Sequence, residues 1–393
     1  MPSVDGGGPD LPGARPTATR SSAAAKVVIA TIGNYSGIPG SVTLDAGHAL
    51  QAWGRWVNDQ GGVNGHPIEV LFFDDGGDLG RHQQLVKDAV ENRGAVAIVG
   101  LIAPLTGQAS VDYVTRNRIP VIGGGSGEPW FENNPMHFPT QAVGTGWLFF
   151  NAASTVDYAI QNNFSRFGVL HCVESASCEQ AGEVWPEYIR QLGMEVVQVT
   201  GASIAQADFT AECLNFRNAR AEVILINMDG NSVRRFAAAC NRQGYHPTFM
   251  QPGEGVERAM LDDPNLDGLI TASSNYPFLI DSAPRGTRYR SAVADYMSPP
   301  DNLLFVAHAW MMAEVFAEAL SRVPGVVTNE TLLRGLWSLN NEDFDGLMPP
   351  ITYVEGATAN QQAACYFIVA IDSGEFVSPD GTERHCRSLP TTP

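Results

Sequence analysis

The chain has 393 residues, 44% hydrophobic and 17% charged, with a formal net charge of -18. At roughly 150 residues per domain this predicts two or three domains with sizeable cores. The acidic balance excludes nucleic acid and anionic membrane surfaces as partners, because phosphate binding needs clustered Lys and Arg.

Residues 1–25 are mainly Gly, Pro, Ser, Thr and Ala and read as a flexible leader with almost nothing to bury. No basic segment followed by an apolar one is present. The chain is therefore either cytosolic or an exported protein whose signal segment is absent, and the low-complexity leader favours export. From Lys26 onward one unit repeats. KVVIATIG reads as a strand, and LDAGHALQAWGRWVND as a helix with Leu44, Gly47, Leu50, Trp53 and Val57 at helical spacing. PIEVLFFDD, AVAIVG and IPVIGG follow as strands, separated by the helical stretches RHQQLVKDAVENR and GQASVDYVTRN.

A break falls near MHFPTQAVGTG, Met136 to Gly146. A second series follows: helix WLFFNAASTVDYAIQNN, strand FGVLHC, helix CEQAGEVWPEYIRQLG, strand MEVVQV, helix DFTAECLNFRNAR, strand EVILINM and helix NSVRRFAAACNRQGY. Continuous apolar strands alternating with helices predict an α/β fold with parallel sheets covered on both faces. After about Gly253 the alternation loosens into helical stretches near 285–297, 300–322 and 328–338. The tail carries the strand-like segments PPITYV, CYFIVAI and GEFV. Leu303 to Leu320 is the longest apolar stretch, but His308, Glu314 and Glu318 interrupt it, so it reads as a core helix and not a membrane span.

The six cysteines group locally. Cys172 and Cys178 flank a short turn, Cys213 and Cys240 lie on successive helices, and Cys365 and Cys386 bracket a terminal hairpin-like segment. Three disulfides account for all six and agree with an oxidising compartment. A zinc site is the rival, since His171 and His385 adjoin cysteines, but the Cys172–Cys178 spacing is too wide for a knuckle.

The loop GGGSGEPW, Gly123 to Trp130, lacks the Lys of a phosphate loop and fails both the dinucleotide fingerprint and the nucleophile elbow. FFDDGGD, Phe72 to Asp78, lacks the alternating ligands of a calcium loop and reads as a solvated turn at a strand end. His48, on a helix with Trp53 and Trp56, reads as a packed or surface residue. With no nucleophile, metal constellation or cofactor motif, the pattern is that of a binding protein and not an enzyme. Its ligand belongs at the carboxyl ends of the strands. The loops there are 33–41, 100–107, 123–130, 173–177, 228–231 and 252–255.

The order of these segments resembles the type I periplasmic substrate-binding proteins, in the branch typified by the Leu/Ile/Val-binding proteins of ABC importers. The resemblance runs from about Lys26 to Val377. It is carried by IGNYSG, VNDQGGVNGHPIEVLFFDD, AIVGLIAPLTGQA, RIPVIGGGSG, the stretch from DFTAECLNF to NRQGY, and FMQPGEGV. It implies two lobes joined by three crossovers near 140–145, 271–276 and 346–352. Lobe 1 is then 26–142 plus 275–348, and lobe 2 is 143–274 plus 349–393. It also implies a monomeric, extracytoplasmic protein, in the periplasm or tethered at the cell surface, with a small-molecule ligand and ABC permease subunits as partners.

By the same resemblance, Ser126, Gly125 and Thr106 hold an anionic or carbonyl end of the ligand, and Glu254 or Asp229 faces an amine or hydroxyl. Tyr35 stacks, and Trp130 either stacks or packs in the core. Ser41, Leu105, Gly124, Glu174 and Tyr276 complete the expected ligand-binding set. Pro104 and Leu105 stand where the family carries serine. That departure moves the implied ligand from a free amino acid toward a larger or more apolar one, an aromatic acid or an amide. A ligand-sensing receptor or regulator of the same fold, without transport, is the alternative.

Overall fold

The computed structural model describes residues 24–125, 127, 128, 130, 132–280, 282–357 and 364–388, with the side chains of Ile38 and Ser41 outside that description. The leader expected over 1–25 lies outside the described residues apart from Ala24 and Ala25.

The first lobe begins with β1 (Val27–Gly33), α1 (Gly37–Asp59), β2 (Ile68–Asp74), α2 (Leu79–Lys87) and β3 (Ala95–Ile102). It continues with α3 (Val111–Arg116), β4 (Val121–Gly124) and β5 (His137–Phe138). The five strands form one sheet in the order β2-β1-β3-β4-β5, every pair parallel. Asp78 starts α2 by accepting the Arg81 backbone N–H at 2.7 Å, satisfying one of the donors a helix start leaves open. Gly47 lets α1 lie close on β2, since a Cβ there would sit 2.7 Å from the Phe72 ring.

The second lobe carries α4 (Thr145–Gln161), β6 (Arg166–Cys172), α5 (Ala176–Gln191), β7 (Glu195–Ala202), α6 (Thr210–Ala219) and β8 (Val223–Asn227). Then come α7 (Gly230–Arg242), β9 (Thr248–Pro252) and β10 (Ile270–Ser273). The chain next returns to the first core with α8 (Thr287–Tyr296), α9 (Leu303–Ser321) and α10 (Asn329–Trp337). It ends in β11 (Ala364–Asp372), β12 (Glu375–Val377) and β13 (His385–Arg387). The second sheet runs β12-β11-β10-β9-β8-β6-β7, with β13 paired to β11. Its β6 to β10 pairs are parallel and its β11 pairs antiparallel.

Helix α9 is long and apolar enough to cross a membrane, but 83% of its apolar window is buried against the first lobe. Trp53 of α1 donates to Glu314 of α9 at 3.0 Å, which pairs the one acid deep in that interface. The segment PPITYV is not a strand: only Ile351 bridges, to Glu342. Pro349 and Pro350 have no N–H to give a ladder, which explains the difference.

The sheets place three connections between the lobes, β5 to α4, β10 to α8 and α10 to β11. Hydrogen bonds stitch them together. Ser274 donates to the Gln141 side chain, the Tyr276 N–H to Leu347 O at 2.8 Å, and Tyr353 to Pro139 O at 2.7 Å. His308 of α9 shares a 2.9 Å hydrogen bond with Thr140, and burial pushes its imidazole down to about 3, so it is neutral.

The three disulfides join Cys172 to Cys178, Cys213 to Cys240 and Cys365 to Cys386. The second links α6 to α7 across Cα atoms 5.4 Å apart, as neighbouring helices on one sheet face allow. Among the described residues no cluster of three or more His, Cys, Asp or Glu is arranged to hold a metal ion.

Candidate ligand-binding cleft

A cavity of about 240 Å3 lies between the lobes. Parallel strands deliver their carboxyl ends to it, so each wall is built from loops that leave strands and enter helices. The first lobe supplies Pro39, Val42 and Thr43 from the start of α1, Ile102, Pro104 and Leu105 after β3, and Gly125, Gly127 and Glu128 after β4. The second supplies Trp147 of α4, the Cys172–Cys178 disulfide with Glu174, Ser175 and Ser177, and Ile204 after β7. Asn227 to Asp229 and Gln251, Pro252, Glu254 and Gly255 complete that wall, and Phe305 of α9 closes one end. The lining is largely apolar, with a few polar groups, as small-molecule sites usually are.

Several of those polar groups are already engaged. Asp229 caps α7, accepting the Ser232 backbone N–H at 3.1 Å and its hydroxyl at 2.5 Å. Glu174 accepts from Ser203 at 2.6 Å and from the Ile204 N–H at 3.0 Å. Glu254 accepts from Gln141 of the first connection at 3.0 Å, which ties a cavity acid to the hinge.

Among the described residues, two buried side-chain oxygens of the cavity wall have no partner. Gln251 donates through Nε2 to Met228 O and Gly255 O, each at 2.9 Å. Those bonds orient the amide, and its Oε1 is buried without a partner. Glu128 is 5% exposed, and its Oε2 also has no partner. Burial pushes its carboxyl up to about 8 against the pull of its own backbone N–H, and the Glu254 charge adds to the rise. Gly125 makes room for it: a Cβ there would collide with the Glu128 carboxylate. The indole N–H of Trp147 is the buried donor of the cavity without a partner. No Lys, Arg or His lines the cavity among the described residues.

Of the residues expected from sequence, Leu105, Gly125, Glu174, Asp229 and Glu254 line this cavity. Tyr35, Thr106, Gly124 and Tyr276 do not. Thr106 turns inward, donating to Asp75 at 2.6 Å and accepting from Asn34 at 2.8 Å, while Leu105 stays 46% exposed at the rim. Tyr35 is buried under the cleft, hydrogen-bonded to Thr31 and stacked on Phe72, and burial holds its phenol far above the usual range. Tyr276 packs on Phe367 at the second connection, its hydroxyl accepting the Arg285 N–H at 3.2 Å. Gly124 ends β4, one residue short of the wall. Trp130 packs beside Gly107 in the first lobe, not in the cavity. Ser126 lies outside the described residues, as does the side chain of Ser41.

FFDDGGD is exposed over Gly76, Gly77 and Asp78, as a turn at a strand end should be, but one of its acids is not solvated. Asp75 is fully buried, bonded to His82 at 2.8 Å, and His82 reaches Ser110 at 3.0 Å. The order Asp–His–Ser has the connectivity of a catalytic triad. All three are 0% exposed and Ser110 donates to Gly107 O at 2.9 Å, so no substrate reaches the hydroxyl and the network is structural. Glu128, Gln251 and Trp147 were not singled out from sequence. The only available signal for Glu128 was its place two residues past Ser126 in a loop already chosen.

The profile of the periplasmic binding protein family matches residues 26–375. The chain belongs to that family. It is therefore an extracytoplasmic, non-enzymatic solute-binding protein. Solved structures share the periplasmic-binding-protein fold. The fatty acid ABC transporter substrate-binding protein from Thermomonospora curvata superposes with a TM-score of 0.73 at 17% identity, over 92% of this chain and 91% of that one. The solute-binding protein of an ABC transporter from Rhodopseudomonas palustris BisB5, in complex with 3,4-dihydroxybenzoic acid, gives 0.74 at 16%, over 93% and 98%. A branched chain amino acid ABC transporter protein from Thermus thermophilus with bound valine gives 0.75 at 16%, over 92% and 96%. At these identities the likeness is one of fold.

Proposed function

We propose that this periplasmic binding protein captures a small ligand with an apolar body in the interlobe cleft and delivers it to an ABC importer. The observation that carries the reading is the cavity of about 240 Å3 whose lining comes from both lobes, so that bringing the lobes together encloses whatever occupies it. Hinge closure about three connections is the motion such an arrangement permits. The bodies that move are residues 26–142 with 275–348 against 143–274 with 349–393. Leu105, Gly125, Glu174, Asp229 and Glu254 contact the ligand, joined by Glu128, Trp147 and Gln251. The ABC transporter proteins of the same fold support the transport role, and the candidate ligands are an amino acid, an aromatic acid or an amide.

A thermal-shift screen across those classes tests the reading, because a ligand that binds only the folded state raises its melting temperature by mass action. A hit is expected to reduce the radius of gyration in solution scattering. It is also expected to be lost in Met228→Trp, which fills part of the cavity. A hit that survives Met228→Trp undiminished places the site elsewhere and overturns the reading.

A further inference from the structure

We infer that the Cys172–Cys178 disulfide is a thiol-exchange site in the wall of the interlobe cavity, where a small apolar thiol is taken up as a mixed disulfide on Cys172. This goes beyond solute capture and holds whatever ligand the cleft takes. The first support is position. Both cysteines line the cavity, whereas the other two disulfides do not. Cys213 and Cys240 are 0% exposed inside the α6–α7 packing, where no thiol reaches them. Cys365 and Cys386 face each other across the β11–β13 ladder, and Cys386 is exposed to bulk solvent. Of the three bonds, Cys172–Cys178 is the one met through the cavity, past Trp147, Met228 and Phe305 of its largely apolar lining. The buried, unpartnered indole N–H of Trp147 marks the same space as one that holds a molecule.

The second support is the leaving group. Thiol–disulfide exchange is faster when the departing sulfur makes the more stable thiolate. Cys178 lies in the first turn of α5, three residues after its cap Ser175, and the Ser175 hydroxyl donates to Cys178 Sγ at 3.0 Å. A helix start carries about half an elementary positive charge, and together with that hydroxyl it stabilises a thiolate. Cys172 is the last residue of β6 and lies at no helix start. The step balances with one thiol alone. The entering thiolate, its proton lost to solvent, gives an electron pair to Cys172 Sγ. The Cys172–Cys178 bond breaks, and its pair passes to Cys178 Sγ. The products are a mixed disulfide on Cys172 and a thiolate on Cys178, with no outside oxidant or reductant. Because the adduct occupies the cavity, thiol uptake and solute capture exclude each other.

The test incubates the full chain with benzyl mercaptan or glutathione at matched millimolar concentration and neutral pH. Free thiols are then trapped with N-ethylmaleimide and the adducts mapped by peptide mass spectrometry. Benzyl mercaptan is small and apolar, whereas glutathione is a bulky, charged tripeptide poorly matched to an apolar cavity of about 240 Å3. The solvent-exposed Cys365–Cys386 bond is the internal reference, and the ratio of adduct at the two sites cancels the nucleophilicity of each thiol. That ratio is expected to be at least about tenfold higher with benzyl mercaptan than with glutathione. The adduct is expected on Cys172 and the maleimide on Cys178. Ser175→Ala, which takes the donor from the leaving sulfur, should lower the Cys172 adduct about threefold, and Ser175→Thr should restore it. Met228→Trp, which fills part of the cavity, should bring the ratios for the two thiols together. Equal ratios in the parent chain, adduct chiefly on Cys178, or a Cys172–Cys178 bond left intact by benzyl mercaptan overturns the inference. Exchange unchanged in Ser175→Ala, or a ratio unchanged in folded Met228→Trp, overturns it too. Solute capture is judged separately, by the thermal-shift screen, and stands or falls without this result.

Discussion

Two buried acids of the first lobe, Asp75 and Glu128, meet opposite fates. Burial would raise Asp75, but hydrogen bonds from His82, Thr106, the Gly77 N–H and Asn34 outweigh it and hold the carboxyl below the usual carboxylate range. Among the described residues Glu128 has only its own backbone N–H to set against burial, and it rises to about 8. The first acid is closed upon by its neighbours and holds two loops together, since Asn34 reaches both Asp75 at 2.5 Å and the Leu105 N–H at 2.9 Å. The second faces a cavity. A buried polar group whose partners are all protein is architecture, whereas one left open beside an empty space is a group for a ligand to meet.

Asp75→Ala gives the largest expected effect. It leaves His82, Thr106 and Asn34 without their common partner in a site that is 0% exposed, and should cost about 3–5 kcal/mol in denaturant unfolding. Ligand affinity of the folded fraction should be unchanged, and a specific loss of affinity would break the distinction between the two acids. Next is the pH dependence of Glu128. Its carboxyl is protonated in the fold and ionised in the unfolded chain between about 4.5 and 8, so the native state binds the extra proton and stability falls as pH rises through that window. Glu128→Leu removes this slope. Its stability relative to the parent should grow by roughly 2–3 kcal/mol from pH 5.5 to 7.5. Glu257, raised to about 7, titrates in both proteins and cancels. Parallel pH curves for the two would mean that Glu128 is solvated.

Thr106→Val should then cost about 1–2 kcal/mol of stability through its lost bond to Asp75, without weakening ligand. Trp130→Phe is the smallest expected change for binding, within about 0.5 kcal/mol, because the indole lies in the first-lobe packing and not in the cleft.

Thr106 and Leu105 show where sequence reading stopped. Both sit in a loop that lines the interlobe cavity, and the hydroxyl was the natural candidate for a ligand contact. The fold turns it the other way, because Asn34 and Asp75, 72 and 31 residues distant, converge on it. FFDDGGD hides its one buried acid for the same reason: an acidic run at a strand end is usually solvated, and only the convergence of α2 and the Thr106 loop buries Asp75. Tyr276 is a packing residue at a connection, which its spacing could not reveal.

What the sequence determined by itself was everything that depends on local period and neighbourhood. Apolar runs alternating with helical faces specify parallel sheets, two series specify two lobes, and cysteines on adjoining units specify their partners. The strand ends locate the cleft, and Pro104 and Leu105 announce an apolar wall. Only the tertiary structure decided which carboxyls are satisfied and which face the cavity. That outcome depends on donors arriving from distant segments: among the described residues four groups reach Asp75, and no other residue donates to Glu128. Periodicity records which way a residue faces within its own element, but hydrogen-bond satisfaction belongs to the assembled whole.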